Sequence, residues 1–292
     1  MRVLLLLLLT GCGAALPAVP PEISGGRIPV AVSVAPQADL VERIGGDRVS
    51  VEVMIPPGSS DEEISLSPRK AMALERVRLY VKVGHPAFAV EARSIDPFLE
   101  QHPDIRVVDM SQGMDLIEEV EEHGGHGGHG EEGDPHVWTA PETVAVAARN
   151  IASALEEADP AHAAGYRANL VRLLEEIGRL DRQIRTRLAA PGADRRFLVY
   201  HPSWGYFARQ YGLEQIAIEA EGKEPGAAGL IRIVERARRE GARVVLVPGG
   251  SRESARVIAD EIGGRMVPAD AQARDWQATL LRIADALGED HG

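Results

Sequence analysis

The sequence predicts an α/β protein with two lobes, each built around a mostly parallel β-sheet. Short β-rich runs alternate with helical patterns, as they do in chains that form parallel sheets. The first series of runs comprises residues 28–34, 49–55, 79–84 and 106–110, and the second comprises residues 196–201, 215–220, 243–248 and 265–269. The length of 292 residues and the hydrophobic content of 45% suffice for two lobes of ordinary size.

A largely helical stretch separates the two series and is broken near Asp159-Pro160. Its second part, residues 162–190, has apolar residues close to a 3.6-residue period and no proline before Pro191. These apolar residues are Leu170, Leu173, Leu174, Ile177, Leu180 and Ile184. The pattern favours a single apolar stripe packed across both lobes over the sustained heptads of a coiled-coil dimerisation arm, so we expect a monomer.

The N-terminus has the features of an export signal. Arg2 precedes an apolar run that is too short to span a membrane, and the tetrad that ends at Cys12 resembles the signal of bacterial lipoproteins, in which the cysteine is lipidated. An ordinary signal peptide or a buried strand is the alternative. The expected boundaries are a signal peptide at 1–12, a tether at 13–27, an N-terminal lobe at 28–158, a linking helix at 159–190 and a C-terminal lobe at 191–292.

Composition excludes several functions. The formal net charge of −12 argues against nucleic-acid binding, which needs clustered Lys and Arg residues, and suits a protein that meets cations. Cys12 is the only cysteine, so the mature chain has no internal disulfide, no cysteine nucleophile and no thiolate metal site.

Four residues stand where open α/β sheets present binding groups, just beyond the carboxyl ends of strands or in a neighbouring loop. His201 ends the run FLVYH, Asp270 follows RMVPA, Glu62 follows VSVEVMI after PPGSSD, and His136 lies in DPHVW. Each of them comes from a different loop. Their side chains can meet only if the two lobes face each other.

Several motifs together resemble the zinc and manganese solute-binding proteins of bacterial ABC importers (cluster A-I type, zinc branch). The motifs are PPGSSDEEISLSP, DPHVW, YHPSWGYFARQYGL, EGKEPGAAGL and the Asp270 segment, in the order of that family. The resemblance implies two α/β lobes joined by one long rigid helix, with the metal ion in the cleft between them. It further implies that His136 and His201 are histidine ligands and that Asp270 is a carboxylate ligand.

The first ligand of that family departs from its usual pattern here. A histidine is usual in a Pro-Gly-x-x-Pro-His motif, whereas PGSSDE places Glu62 at that position. Carboxylate oxygen is an accepted zinc ligand, but carboxylate-rich sites also suit Mn²⁺. We hypothesise that His85, which directly follows a predicted strand, supplies the missing imidazole; the alternative is a capping or surface histidine.

A glycine-rich segment, residues 121–134, precedes His136 and contains His123, His126 and His129. So much glycine makes a fixed geometry costly, so we expect this His-rich loop to collect metal weakly near the cleft. A solvated insertion without a role is the alternative.

The N-terminal signal predicts a lipid-anchored protein, in the periplasm or on the outer face of the cell membrane. The resemblance predicts that it binds Zn²⁺ and delivers it to an ABC permease and its ATPase. Neutral imidazole favours Zn²⁺, with Mn²⁺ as the alternative ion. A secreted zinc hydrolase is the alternative from another class, but the chain has no HExxH pair. A surface lipoprotein without an importer is a third possibility.

Overall fold

A computed structural model describes residues 26–56, 66–117, 133–219, 225–249 and 253–289. The N-terminal lobe contains strands β1 (Ile28–Val32), β2 (Val49–Val53), β3 (Leu79–Lys82) and β4 (Arg106–Asp109). The C-terminal lobe contains β5 (Arg196–Val199), β6 (Glu214–Ala217), β7 (Val244–Val247) and β8 (Arg265–Pro268). The two sheets have the orders β2-β1-β3-β4 and β6-β5-β7-β8, and every pairing is parallel. The predicted fold class is confirmed.

Helices cover the sheets and connect their strands. Their bounds are α1 (Ala35–Gly45), α2 (Pro68–Leu74), α3 (Asp96–Glu100), α4 (Pro141–Ala158), α5 (Ala163–Leu188), α6 (Gly205–Tyr211), α7 (Ala227–Glu240), α8 (Glu253–Ile262) and α9 (Trp276–Gly288). The central strands are nearly continuous apolar runs because helices bury both faces of a parallel sheet. In β7, for example, all four residues are buried.

The long helix α5 links the two lobes, as the apolar stripe predicts. Its 26 residues span about 39 Å. The residues that it buries are Tyr166, Leu173, Ile177, Leu180, Ile184 and Leu188. This face packs against α1 and α4 of the N-terminal lobe and against α9 of the C-terminal lobe. The apolar stripe of α5 is therefore buried within the chain. Among the described residues, no helix is long and apolar enough to cross a membrane.

The break between α4 and α5 has a polar cause. Asp159 follows α4 with a backbone that is no longer helical (φ −141°, ψ 71°), and Pro160 begins a short 3₁₀ turn. The Asp159 carboxylate accepts hydrogen bonds from the Tyr166 hydroxyl (2.8 Å) and from Nδ1 of His162 (2.9 Å). These bonds fix the start of α5 against the end of α4, so the helix leaves the N-terminal lobe in a defined direction.

Direct contacts also join the lobes away from the linking helix. Trp276 at the start of α9 donates a hydrogen bond from Nε1 to the Asp39 carboxylate of α1 (3.0 Å), and Arg274 forms an ion pair with Glu42. Burial raises the pKa of Asp39, which the hydrogen bond from Trp276 opposes. The lobes therefore have a specific contact surface between them.

Candidate metal centre

The parallel topology places the carboxyl ends of the strands of each sheet on one side of that sheet. His201 lies two residues beyond β5 and Asp270 two residues beyond β8, with β7 between those strands. His85 follows β3 in the N-terminal lobe, and the segment with Glu62 follows β2, which is separated from β3 by β1. Ends of parallel strands meet at one edge of a sheet, so His201 and Asp270 follow strands that end on the same side of the C-terminal sheet.

The His136 ring is fixed by a carboxylate two residues earlier. Oδ1 of Asp134 accepts hydrogen bonds from the backbone N–H of His136 (2.9 Å) and from its Nδ1 (2.7 Å). The imidazole is buried, and Trp138 packs edge-on against it with ring centroids 5.3 Å apart. A carboxylate only accepts hydrogen bonds, so Nδ1 holds the proton in the neutral ring and Nε2 keeps the lone pair that a metal ion needs.

The His201 ring is held in the same way by a carboxylate of its own, C-terminal lobe. Its Nδ1 makes a close hydrogen bond to Oε1 of Glu219, which lies two residues beyond β6. Strand β6 pairs with β5, so the neighbouring strand supplies the carboxylate that orients this imidazole. By the same reasoning, Nδ1 of His201 holds the proton in the neutral ring and Nε2 keeps the lone pair.

The two imidazoles lie next to each other across the lobe boundary. Their ring centroids are 5.4 Å apart and their planes cross at 73°. Two imidazoles on one tetrahedral Zn²⁺ are expected to have centroids about 5 Å apart, given Zn–N bonds of about 2.0 Å and a centroid about 1.1 Å from each nitrogen. The observed separation thus fits a zinc ion shared by His136 and His201.

Asp270 belongs to the loop beside this pair. Its Oδ1 accepts a hydrogen bond from the backbone N–H of Gln272 (2.9 Å), while Nε1 of Trp138 donates to the carbonyl oxygen of Ala271 (2.8 Å). The Asp270 loop and the His136 segment are therefore in contact. No three His, Cys, Asp or Glu side chains among the described residues are close enough together to form a metal-binding group. The structure thus brings the two histidines together, with the Asp270 carboxylate in the adjacent loop.

His85 is buried and both of its ring nitrogens contact the backbone. Nδ1 accepts a hydrogen bond from the N–H of Ala87 (3.1 Å), and Nε2 faces the carbonyl oxygen of Ile117 (3.3 Å), to which it donates in that tautomer. A metal bond through either nitrogen would require one of these bonds to break. The geometry favours the capping alternative, and a ligand role for His85 stays a prediction.

The other predicted site residues lie outside the described residues. They are Cys12, Glu62, His123, His126 and His129. The two supporting carboxylates, Asp134 and Glu219, were not foreseen as part of the site. Asp134 has a signal in the sequence, since an aspartate two residues before a buried histidine can bond its ring, but Glu219 becomes recognisable only once β6 is known to pair with β5.

Comparison with known proteins identifies relatives over nearly the whole chain. Residues 30–287 match the family model described as zinc-uptake complex component A, periplasmic (ZnuA). The high-affinity zinc uptake system protein ZnuA of Bacillus subtilis is 27% identical over 267 residues, which cover 89% of this chain and 83% of that protein. The iron-binding protein YfeA of Yersinia pestis is 27% identical over 179 residues, 61% of this chain and 55% of that protein.

Solved structures agree with the sequence comparison. A crystal structure of ZnuA superposes with a TM-score of 0.81 at 32% identity, covering 91% of this chain and 100% of that one. A ZnuA deletion mutant with zinc bound has a TM-score of 0.79 at 33% identity, over 90% of this chain and 97% of that one.

Proposed function

This chain belongs to the zinc-uptake complex component A (ZnuA) family, and on that premise we propose that it captures Zn²⁺ outside the cytoplasmic membrane and delivers it to an ABC permease and its ATPase. The observation that supports this most is the pair His136 and His201, 5.4 Å apart with each Nδ1 bonded to a carboxylate. Members of this family are periplasmic metal-binding components of transport systems and are not enzymes. The hydrolase alternative is therefore set aside.

The proposed ligand set is His136, His201, Asp270 and Glu62. Two imidazole nitrogens and two carboxylate oxygens match the coordination number that Zn²⁺ prefers. Asp270 would bind the ion from the loop that contacts the His136 segment through the hydrogen bond from Trp138 to Ala271. Glu62 would complete the site from the N-terminal lobe.

Metal preference tests the proposed function directly. We expect a single tight Zn²⁺ site per chain from which a roughly 100-fold excess of Mn²⁺ displaces less than half of the zinc, because imidazole ligands favour Zn²⁺. Competition between the two ions, followed by metal analysis of the protein after desalting, measures this. Displacement of most of the zinc by Mn²⁺ would instead identify a manganese importer component.

We also propose that Cys12 is lipidated and that residues 13–27 tether the domain to the outer face of the membrane. The sequence Leu9-Thr10-Gly11-Cys12 and the Pro- and Gly-rich segment that follows it support this proposal. A monomer suffices for this role, since the apolar stripe of α5 is used within the chain.

The three loop histidines are proposed to collect metal rather than to hold the transported ion. Replacing His123, His126 and His129 together with alanine is expected to leave the tight dissociation constant within about 3-fold of the wild-type value, because a tethered collector raises the local metal concentration without changing the site itself. The same variant should lose additional weak zinc equivalents in calorimetric titrations.

A variant with His102 and His291 replaced by alanine is the matched control for that experiment, and it should keep the weak equivalents. A large loss of tight binding in the triple variant would place the loop histidines in the transport site.

A further inference from the structure

One carboxylate connects the His136 ring to the opposite lobe. While Oδ1 of Asp134 holds the His136 imidazole, its Oδ2 accepts a hydrogen bond from the backbone N–H of Gly205, the first residue of α6 (3.0 Å). Asp134 is buried, with 8% of its surface exposed, so water does not compete strongly for these bonds. Gly205 lies on the same short segment as His201, which follows β5 in the C-terminal lobe.

The contact requires glycine at position 205. A Cβ atom there would lie 2.3 Å from Oδ2 of Asp134 and 3.3 Å from its Cγ, and the first distance is too short for any ordinary contact. His136 bonds the other oxygen of this carboxylate. An alanine at position 205 would therefore displace Asp134, and the His136 imidazole would move with it. The Gly205 backbone of the C-terminal lobe thus lies too close to the Asp134 carboxylate of the N-terminal lobe to leave room for a side chain.

A second bond across the lobes lies beside the first. The N–H of Ile117 donates to the Tyr206 hydroxyl (3.0 Å), and the carbonyl oxygen of Ile117 accepts from the N–H of Asp134 (2.9 Å). Burial raises the pKa of Tyr206 to about 12, so the phenol is neutral at physiological pH. This bond joins the same two lobes without touching the Asp134 carboxylate, which makes it a suitable control.

We infer that Asp134 is a positioning residue that sets the separation of the two zinc-binding imidazoles, because it bonds the His136 ring on one side and the segment of His201 on the other. This inference rests on the proposed function, in which both rings bind one ion. Zinc–nitrogen bonds tolerate deviations of about 0.2 Å, so a support that fixes the distance between ligands controls affinity. Partners of this kind typically change metal affinity by about 10- to 100-fold when mutated.

Asparagine and alanine substitutions test the two sides of the contact separately. Three N–H donors, two from His136 and one from Gly205, meet the two oxygens of Asp134, and Asp134→Asn leaves only one oxygen for them. Gly205→Ala keeps the carboxylate but displaces it. Both variants are expected to bind Zn²⁺ at least about 10-fold more weakly. Tyr206→Phe, which removes only the neighbouring bond, should stay within about 3-fold, because its lost bond does not orient a ligand.

The readouts are the zinc dissociation constant, the melting temperature without metal and the visible absorption spectrum of the Co²⁺ complex. A positioning role predicts a changed Co²⁺ spectrum in Asp134→Asn and Gly205→Ala and an unchanged one in Tyr206→Phe. Weaker binding with a wild-type Co²⁺ spectrum would show that the arrangement of the ligands is unchanged and would overturn the inference, as would wild-type affinity in both variants.

His136→Ala separates this inference from the proposed function. If His136→Ala binds zinc as tightly as the wild type, the proposed site is wrong. If it binds weakly while Asp134→Asn and Gly205→Ala bind normally, the site stands and the positioning role of Asp134 is overturned.

Discussion

Replacing His136 with alanine is expected to weaken Zn²⁺ binding by at least about 100-fold, which corresponds to about 2.7 kcal/mol of binding free energy. The substitution removes one of two imidazoles that lie 5.4 Å apart, and it leaves the Asp134 carboxylate without its ring partner. Competition against a chelator of known affinity measures the effect. His201→Ala is expected to cause a loss of similar size, since both rings contribute one nitrogen.

His102→Ala is the matched control for this prediction. His102 lies just beyond α3, where it stacks on Phe98 with ring centroids 4.0 Å apart and its Nδ1 contacts the carbonyl oxygen of Phe98 (2.8 Å). Neither α3 nor this turn carries a proposed ligand. Its replacement should leave the zinc dissociation constant within about 3-fold, since it removes no metal bond. Equal effects of His102→Ala and His136→Ala would mean that zinc binds elsewhere.

Replacing Glu91 with glutamine is expected to remove a decline of about 3 kcal/mol in the free energy of unfolding between pH 4.5 and pH 7.5. Glu91 begins a π-helical turn and accepts hydrogen bonds from the N–H groups of Val83 (2.6 Å) and Gly84 (3.0 Å) and from the Ser33 hydroxyl. Burial raises the pKa of this carboxyl from 4.5 to about 7, although the three hydrogen bonds oppose the shift.

The sign of this effect follows from proton linkage. A carboxyl whose pKa is higher in the folded state binds its proton more tightly when folded, so its contribution to stability is complete below about pH 4.5 and is lost as the pH rises through about 7. Glutamine does not titrate. The free energy of unfolding of Glu91→Gln, measured with urea at several pH values, should therefore lack this decline, apart from a constant offset for one lost acceptor.

Glu157→Gln provides the control for the pH profile. A hydrogen bond from Arg106 lowers the pKa of the exposed Glu157, so its titration lies below the window in which Glu91 titrates. The control should show the wild-type decline between pH 5 and 7.5. A decline of unchanged size in Glu91→Gln would show that another group is responsible.

The sequence was sufficient to predict the sheets and the linking helix because their signals are local. All eight β-rich runs became strands, and the helical stretch divided at Asp159 and Pro160 as the proline predicts. Apolar periodicity also predicted which face of α5 is buried. The strand order within each sheet was not available from these signals, since it depends on contacts between distant segments.

The site was only partly predictable for the same reason. His136 and His201 were predicted as ligands from their motifs, but their adjacency depends on the packing of two lobes that are far apart in the sequence. Asp134 and Glu219 support them from opposite lobes, and nothing local distinguishes Glu219 from the other carboxylates of an acidic chain. His85 was ambiguous because a histidine after a strand suits either a ligand or a cap, and its two backbone contacts became visible only in the structure.

The bond between Asp134 and the segment of His201 would make metal capture depend on the contact between the lobes. Asp134 belongs to the N-terminal lobe and Gly205 to the C-terminal lobe, so the geometry of the imidazole pair depends on contact between the lobes. A change in that contact, for example on docking to a permease, would alter zinc affinity without any change in the ligands themselves. On the proposed function, this contact is the route by which binding and release of the ion would be coupled to the permease.

A crystal structure of the zinc-loaded protein with an anomalous signal at the zinc edge tests the central claim most directly. We predict one zinc ion between Nε2 of His136 and Nε2 of His201 at about 2.0 to 2.1 Å from each, with carboxylate oxygens of Asp270 and Glu62 completing a tetrahedron. An anomalous peak that is bonded to neither histidine, or one found only among the histidines of residues 121–134, would contradict the account.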